Sequence, residues 1–412
     1  MEMPWTLPTE RNLIPEPDGK KTGLAEKPFE YLTAEERYHV LVETLGTIRE
    51  RIDRMRVMSQ EEHALLDMIH QAEHTSDLRA AHDRLNQLVL EDFLEYFSAA
   101  EVNKRCTTYR DQIVKRVATL VEWEMKEEGL GKPPVKYAWL GVGSEGREEQ
   151  TLLTDQDNLI IYEDHPLADQ YFLEFSTKMV NKLEEAGFAK CTGDIMPTNE
   201  RWRGSLTQWK RRIKALMYGE ARTLDLIILT DARFIVGEVS LAGELIHEVS
   251  SLFKSFIAFA GIARSSLVHP VALNLFKQFK TEWGGTHKGQ LNIKLVGWAP
   301  LVMAVRTFSL REEIMETNTV ARIMKLKEHE RFDEAFANRL KEAYRILTKN
   351  RILQQIEVMK MDKEREYFTD HDYFIDPYTL PSDEQQQLKE ALWAIKRLQK
   401  MILKAFYLLV KL

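Results

Sequence analysis

The chain has 412 residues, of which 44% are hydrophobic and 29% charged, with a formal net charge of -7. That length allows two or three domains with cores of their own, and the composition is that of a globular protein rather than a disordered one. The acidic balance argues against a general nucleic-acid binder, so no nucleic-acid partner is expected. The two cysteines, Cys106 and Cys191, lie far apart, which fits a reducing compartment and excludes a disulfide framework or a cysteine zinc site. No apolar stretch reaches the ~20 residues that span a bilayer, and the start, MEMPWTLPTERN, lacks a signal-peptide pattern. A cytoplasmic protein without membrane association is expected.

Residues 1–30 carry scattered prolines and read as an extended lead-in. Thr33-Ala-Glu-Glu36 and Ser59-Gln-Glu-Glu62 each have the form of a capping box. Leu41, Leu45 and Ile48, then Leu85, Leu88 and Phe93, recur at helical spacing. Thr33 to Glu128 is therefore expected to form three or four packed helices, serving as core and interaction surface. Gly129-Leu-Gly-Lys-Pro-Pro134 breaks the pattern and marks a boundary.

After it, Tyr137 to Val142 and Leu159 to Tyr162 are apolar runs of strand length. Between them the polar segment Ser144 to Thr154 can make about two helical turns. A helix from Asp169 to Glu185 should stop at Gly187, followed by a short strand, Phe188 to Cys191. Leu206 to Met217 reads as helix and Leu224 to Leu229 as a buried strand. Long amphipathic helices return at Trp298 to Met315, Glu334 to Lys360 and Ser382 to Leu409, the last capped by Ser382. The expected fold is α+β and mostly helical. An N-terminal helical domain (1–132) and a C-terminal helical domain (241–412) flank a small α/β domain with a mixed sheet (133–240).

The stretch that carries chemistry runs from Gly141 to Asp157. Asp155 and Asp157, two apart at the start of an apolar strand, project from one face. Two carboxylates so placed repel unless a cation sits between them. Mg²⁺ (or Mn²⁺) suits the pair, completing its shell with water and substrate phosphates. Gly143 and Ser144 close the preceding strand and open a helix. Glycine lets a phosphate approach the backbone, and the amides of a helix start bind anions. Arg147, one turn in, can add a charge-assisted contact to a phosphate. Together these parts would set a triphosphate beside a metal, as phosphoryl chemistry requires.

Gly143-Ser144 followed by Asp155-x-Asp157 resembles the signature of the polymerase-β-like nucleotidyltransferase superfamily. More closely, Gly143-Ser-Glu-Gly-Arg-Glu-Glu-Gln150 and Thr154-Asp-Gln-Asp-Asn158 are similar to nucleotidyltransferases related to bacterial PII-protein uridylyltransferase, which often sit behind CBS domains. The likeness continues in Met196 to Trp209, in Asp231-Ala-Arg233 with Gly237, and in Leu291-Asn-Ile-Lys294 with Pro300-Leu301. No CBS pair or ACT-type domain is visible, and His82-Asp83 and His371-Asp372 lack the companion histidines of a phosphohydrolase.

The resemblance implies metal-dependent transfer of a nucleoside monophosphate from a nucleoside triphosphate to a protein or small-molecule acceptor. The activity would be uridylyltransferase-like, with a regulatory protein in signal transduction as one acceptor. By resemblance Trp202, Arg203 and Lys294 contact the nucleotide, although an anchoring tryptophan and an exposed lysine are the plainer readings. A third carboxylate is expected at Asp225 or Asp231. Asp225 sits between Leu224 and Leu226 in the expected strand, and Asp231 lies where it ends. On an unbroken strand they share a face about 20 Å apart, at ~3.3 Å per residue, so only one reaches the metal. The family match favours Asp231. A nucleotide-binding regulatory module without turnover and a helical interaction scaffold are the alternatives.

Overall fold

The computed structural model describes residues 33–218, 223–274, 276–361 and 370–406. The expected lead-in over 1–30 and the last residues of the C-terminal helix lie outside them.

Three helices open the described chain: α1 (Ala34–Gln71), α2 (Thr75–Tyr96) and α3 (Ala99–Glu127). The Thr33 capping box is formed, with the Glu36 amide donating to the Thr33 hydroxyl at 3.2 Å and the Thr33 amide to the Glu36 carboxylate at 2.7 Å. The second expected box is not a helix start. α1 runs unbroken through Ser59, because no glycine or proline beside it releases the ladder. Leu41, Leu45 and Ile48 are exposed rather than packed, at 51%, 54% and 46%. α1 enters the core only at Leu65 and Ile69, and the turns before them stay outside it.

A four-stranded sheet in the order β5-β3-β1-β6 forms the centre: β1 (Tyr137–Gly141), β3 (Asn158–Tyr162), β5 (Arg203–Ser205) and β6 (Arg233–Gly237). β1 runs antiparallel to both β3 and β6, and β3 is parallel to β5. Both faces are buried, and side chains alternate between them as the strand period requires. Tyr137, Trp139, Ile160 and Tyr162 pack with α2, α3 and α5 (Ala168–Glu185). Ala138, Leu140, Leu159 and Ile161 pack with α6 (Leu206–Met217), α8 (Val239–Ser251) and the C-terminal helices. Those are α9 (Phe256–Ser265), α10 (Ala299–Arg311), α11 (Thr319–Glu328), α12 (Glu334–Met361) and α13 (Ser382–Ala405). Pro381, not Ser382, takes the N-cap position of α13, one residue from the expectation. No single helix among the described residues is long and apolar enough to cross a membrane.

One element differs in kind. Thr223–Leu229 is the helix α7, not a strand, and Leu226 to Leu229 are all buried. Four apolar residues buried in succession do not distinguish the two periodicities. The sheet's fourth strand is instead β6, which follows the turn through Asp231.

The segment after β1 also departs from expectation. Only one turn, α4 (Gly143–Gly146), is helical, and Glu149 to Leu153 is a buried loop. A buried loop needs partners for its carbonyls, and side chains from two flanking helices supply them. Asn103 donates to Gln150 O (2.7 Å), Arg110 to Thr151 O (2.7 Å) and Leu152 O (3.0 Å), and Gln355 to Leu153 O (3.1 Å).

Arg110 is itself held by His82, whose Nε2 accepts from Arg110 Nε at 3.0 Å while Nδ1 faces Ala186 O at 3.1 Å. That pairing places the proton on Nδ1 and keeps the ring neutral. Burial, then the Arg110 and Arg79 charges, hold its pKa well below the ordinary value. A folded-state pKa below the unfolded one means that the unfolded chain takes up the proton first. Stability is therefore full above about pH 6.5 and falls below it, by up to about 1.4 kcal/mol per pH unit. Urea titrations should show a steeper loss from pH 6.5 to 5 in the parent than in His82→Gln, and equal slopes would refute the assignment.

Candidate active site

Gly143, Ser144, Thr154, Asp155 and Asp157 meet along one wall of a cavity of about 380 Å³. Asp155 lies on a two-residue strand, β2 (Asp155–Gln156), paired in parallel with β4 (Ala189–Lys190). The β4 pair is all that forms of the strand expected over Phe188 to Cys191. Asp157 follows at once, and its carbonyl accepts from the Val142 amide at 2.8 Å. This bond fixes the carboxylates beside the Gly-Ser turn. Gly143 has φ +57°, and a Cβ there would stand 2.5 Å from Asp157 Oδ2. Glycine is thus required both for the backbone and for the carboxylate beside it. Gly143→Ala is expected to displace Asp157 and weaken divalent-cation binding at least tenfold while the chain still folds, as isothermal calorimetry and circular dichroism would read.

Asp157 Oδ1 is buried without a hydrogen-bond partner. Burial, then the neighbouring charge of Asp155, push its carboxyl up to about 7. Cys191 brings a third donor atom, and one oxygen from each carboxylate and the Cys191 sulfur lie within 4.8 Å of one another. Burial and the two carboxylates raise the thiol pKa, so the sulfur stays protonated and bonds to Asp157. An orphaned carboxylate oxygen beside a second carboxylate, with no cationic side chain bonded to either among the described residues, fits a divalent cation held by oxygen.

The opposite wall comes from the C-terminal helices and was only partly foreseen. Lys294, shortly after the two-residue strand Leu291–Asn292, opens a π-helical turn, Lys294–Trp298, and its Nζ lies 4.7 Å from the Tyr373 ring centre. Trp298, Arg351 and Tyr373 line the cavity beside it. These three, with Cys191, carry no motif in the sequence, because the π turn, α12, the 3-10 turn ending at Tyr373 and the residue after β4 meet here only through the tertiary fold.

The remaining expected residues have other partners. Arg147 borders the cleft, but its Nε donates to Glu149 (2.8 Å) and its Nη1 to Asp231 (2.5 Å). Asp231 is not beside the carboxylate pair. One oxygen accepts from Arg147 and Arg306, the other from Arg322 (3.2 Å) and Arg306 Nε (3.3 Å). Burial alone would raise the Asp231 carboxyl, but Arg306, Arg147 and Arg322 hold it below the usual range. With three guanidiniums around it, this group has no lone pairs or electrostatic room for a cation. Asp225 sits in the first turn of α7, 3.6 Å from Arg201, and lines no part of the cleft. The shared-strand argument fails for both, since no strand joins them. Trp202 is buried in the core, and Arg203 on the edge strand β5 donates to Pro197 O (2.5 Å) and Thr198 O (3.1 Å). Neither reaches the cavity.

The turn after α4 is clamped by the C-terminal half. Thr317 donates to Gly146 O (2.7 Å), Asn318 to Arg147 O (3.0 Å), and the Thr319 amide to Glu149 (2.8 Å).

A small mixed sheet, a Gly-Ser turn and a facing carboxylate pair make up the site expected of a nucleotidyltransferase. The family comparisons agree. The model described as "Putative nucleotidyltransferase DUF294" matches residues 83–222, and that described as "Putative nucleotidyltransferase substrate binding domain" matches residues 256–406. Together they cover more than half of the chain, which belongs to this nucleotidyltransferase family. No curated protein matches it.

Proposed function

We propose that the chain transfers a nucleoside monophosphate from a nucleoside triphosphate to a hydroxyl of a protein or small molecule, in a uridylyltransferase-like reaction that depends on a divalent cation. The observation that carries this reading is the orphaned Asp157 oxygen beside Asp155, across the turn from Gly143 and Ser144. Asp155 and Asp157 would hold the cation. Mg²⁺ or Mn²⁺ bound there would neutralise phosphate charge and polarise the α-phosphoryl group.

The chain's own residues position the substrate. Gly143 gives the phosphates close access to the backbone, and Ser144 offers a hydroxyl beside them. The acceptor oxygen bonds to the α-phosphorus as the α–β bridging bond breaks. Pyrophosphate leaves with the electron pair, and the acceptor proton passes to water. Asp231, Asp225, Trp202 and Arg203 take structural places in this reading, and Lys294, on the cavity wall, stays a nucleotide contact.

Thermal denaturation with Mg²⁺ or Mn²⁺ and each of the four common triphosphates tests it. At least one combination should raise the melting temperature by mass action, and pyrophosphate should be released when an acceptor is supplied. No shift with any triphosphate would sink the proposal.

A further inference from the structure

We infer that Arg351, on α12, binds the β- and γ-phosphates of the triphosphate and holds the pyrophosphate that leaves. The inference rests on the nucleotidyl-transfer reading of the cleft. Arg351 lines the same cavity as Gly143, Ser144, Asp155 and Asp157, from the C-terminal side. Its Nε is buried without a hydrogen-bond partner, and no carboxylate pairs with it among the described residues. Its guanidinium lies 5.4 Å from the Trp298 ring centre and 5.7 Å from that of Tyr373. Ring faces compensate a desolvated cation only in part, and a guanidinium left without an anion in a partly buried site is costly.

The other cations around the cleft are differently disposed. Arg147 is committed to Asp231 and Glu149, Lys190 pairs with Glu184 at 2.7 Å, and Lys294, over the Tyr373 ring, is a point charge without a fork. Arg351 is therefore the guanidinium that a polyphosphate can claim, by the fork geometry that suits phosphate oxygens. The rings of Trp298 and Tyr373 hold the side chain on the cavity wall, so little freedom is lost when the anion arrives. Trp298 Nε1 is also buried without a partner, a second unused donor on that wall. Acid on one wall and an unpaired guanidinium on the other match a ligand whose α-phosphate lies at the carboxylates and whose terminal phosphates reach the C-terminal side. When the α–β bridging bond breaks, negative charge accumulates on the departing pyrophosphate, where Arg351 stands.

The test uses the full chain with Mg²⁺ and measures binding by calorimetry. The probes are inorganic tripolyphosphate, each common nucleoside triphosphate and the matching monophosphates. Arg351→Ala should weaken tripolyphosphate and triphosphate binding by about 10- to 100-fold and monophosphate binding by less than about twofold. Arg351→Lys, which keeps the charge but not the fork, should fall between, and it guards against loss of fold in the alanine variant. Equal triphosphate affinity in the parent and both variants overturns the inference and leaves the transferase reading standing. Equal losses for tri- and monophosphate overturn it as well. A parent that binds tripolyphosphate through Arg351 but no nucleoside triphosphate retains the phosphate site and sinks the transferase reading instead. A parent that binds neither removes both.

Discussion

Asp155→Asn and Asp157→Asn are each expected to abolish cation-dependent triphosphate binding and turnover while leaving the chain folded. Groups that only orient a metal ligand are worth about 10- to 100-fold, so losing a ligand oxygen's charge should cost more than about 100-fold. The fold should not suffer, because the exchange keeps the shape of the side chain. In the cation-free protein the Asp157 substitution should even stabilise. Its carboxyl is pushed up to about 7 by burial and Asp155, so its charge opposes folding at neutral pH. The signature is thus a raised melting temperature without metal, joined to a lost shift with Mg²⁺ and triphosphate. Two variants that bind both ligands like the parent would show that the carboxylates hold no cation.

Asp231→Asn should do the opposite. It removes the charge that Arg147, Arg306 and Arg322 share, and leaves three buried guanidiniums facing one another with only Glu149 against them. Breaking a buried ion cluster on one side costs about 3–5 kcal/mol, which urea denaturation would read directly. Asp225→Asn loses one partly exposed pair with Arg201 at 3.6 Å and should cost under about 1 kcal/mol. The expectation from sequence was a third metal carboxylate at Asp231 or Asp225, with Asp231 favoured; neither lines the cleft. If folded Asp231→Asn protein is as stable as the parent yet inactive, the arginine cluster is not its role.

The contrast between these residues shows where sequence suffices. Gly143, Ser144, Asp155 and Asp157 are close along the chain, so local turn chemistry and strand parity bring them together, and their place was legible. The strands at Tyr137 and Leu159 and the helices at Ala168 and Leu206 were legible for the same reason, since each carries its period and its stop signals. The run Leu224 to Leu229 was misread because its four consecutive buried residues, Leu226 to Leu229, erase the periodicity that tells helix from strand. Arg147, which does border the cleft, and Asp231, which does not line it, have partners that local sequence does not announce. A charge in a motif reads as a ligand contact until its partners are known; Asp231 is claimed by Arg306 of α10 and Arg322 of α11, far along the chain, and Arg147 by Glu149 and by Asp231 itself. Arg351 was missed entirely, being one basic residue among many on an amphipathic helix.

The Asp231 cluster bears on how such a chain can be inherited. Arg147 lies within the first matched segment, Arg306 and Arg322 within the second, and Asp231 in the interval that neither covers. The two segments are therefore not interchangeable modules. A recombinant that took one half from a relative with a different charge at this junction would bury an uncompensated ion. Among descendants of this sequence, positions 147, 231, 306 and 322 have to change together or stay as they are.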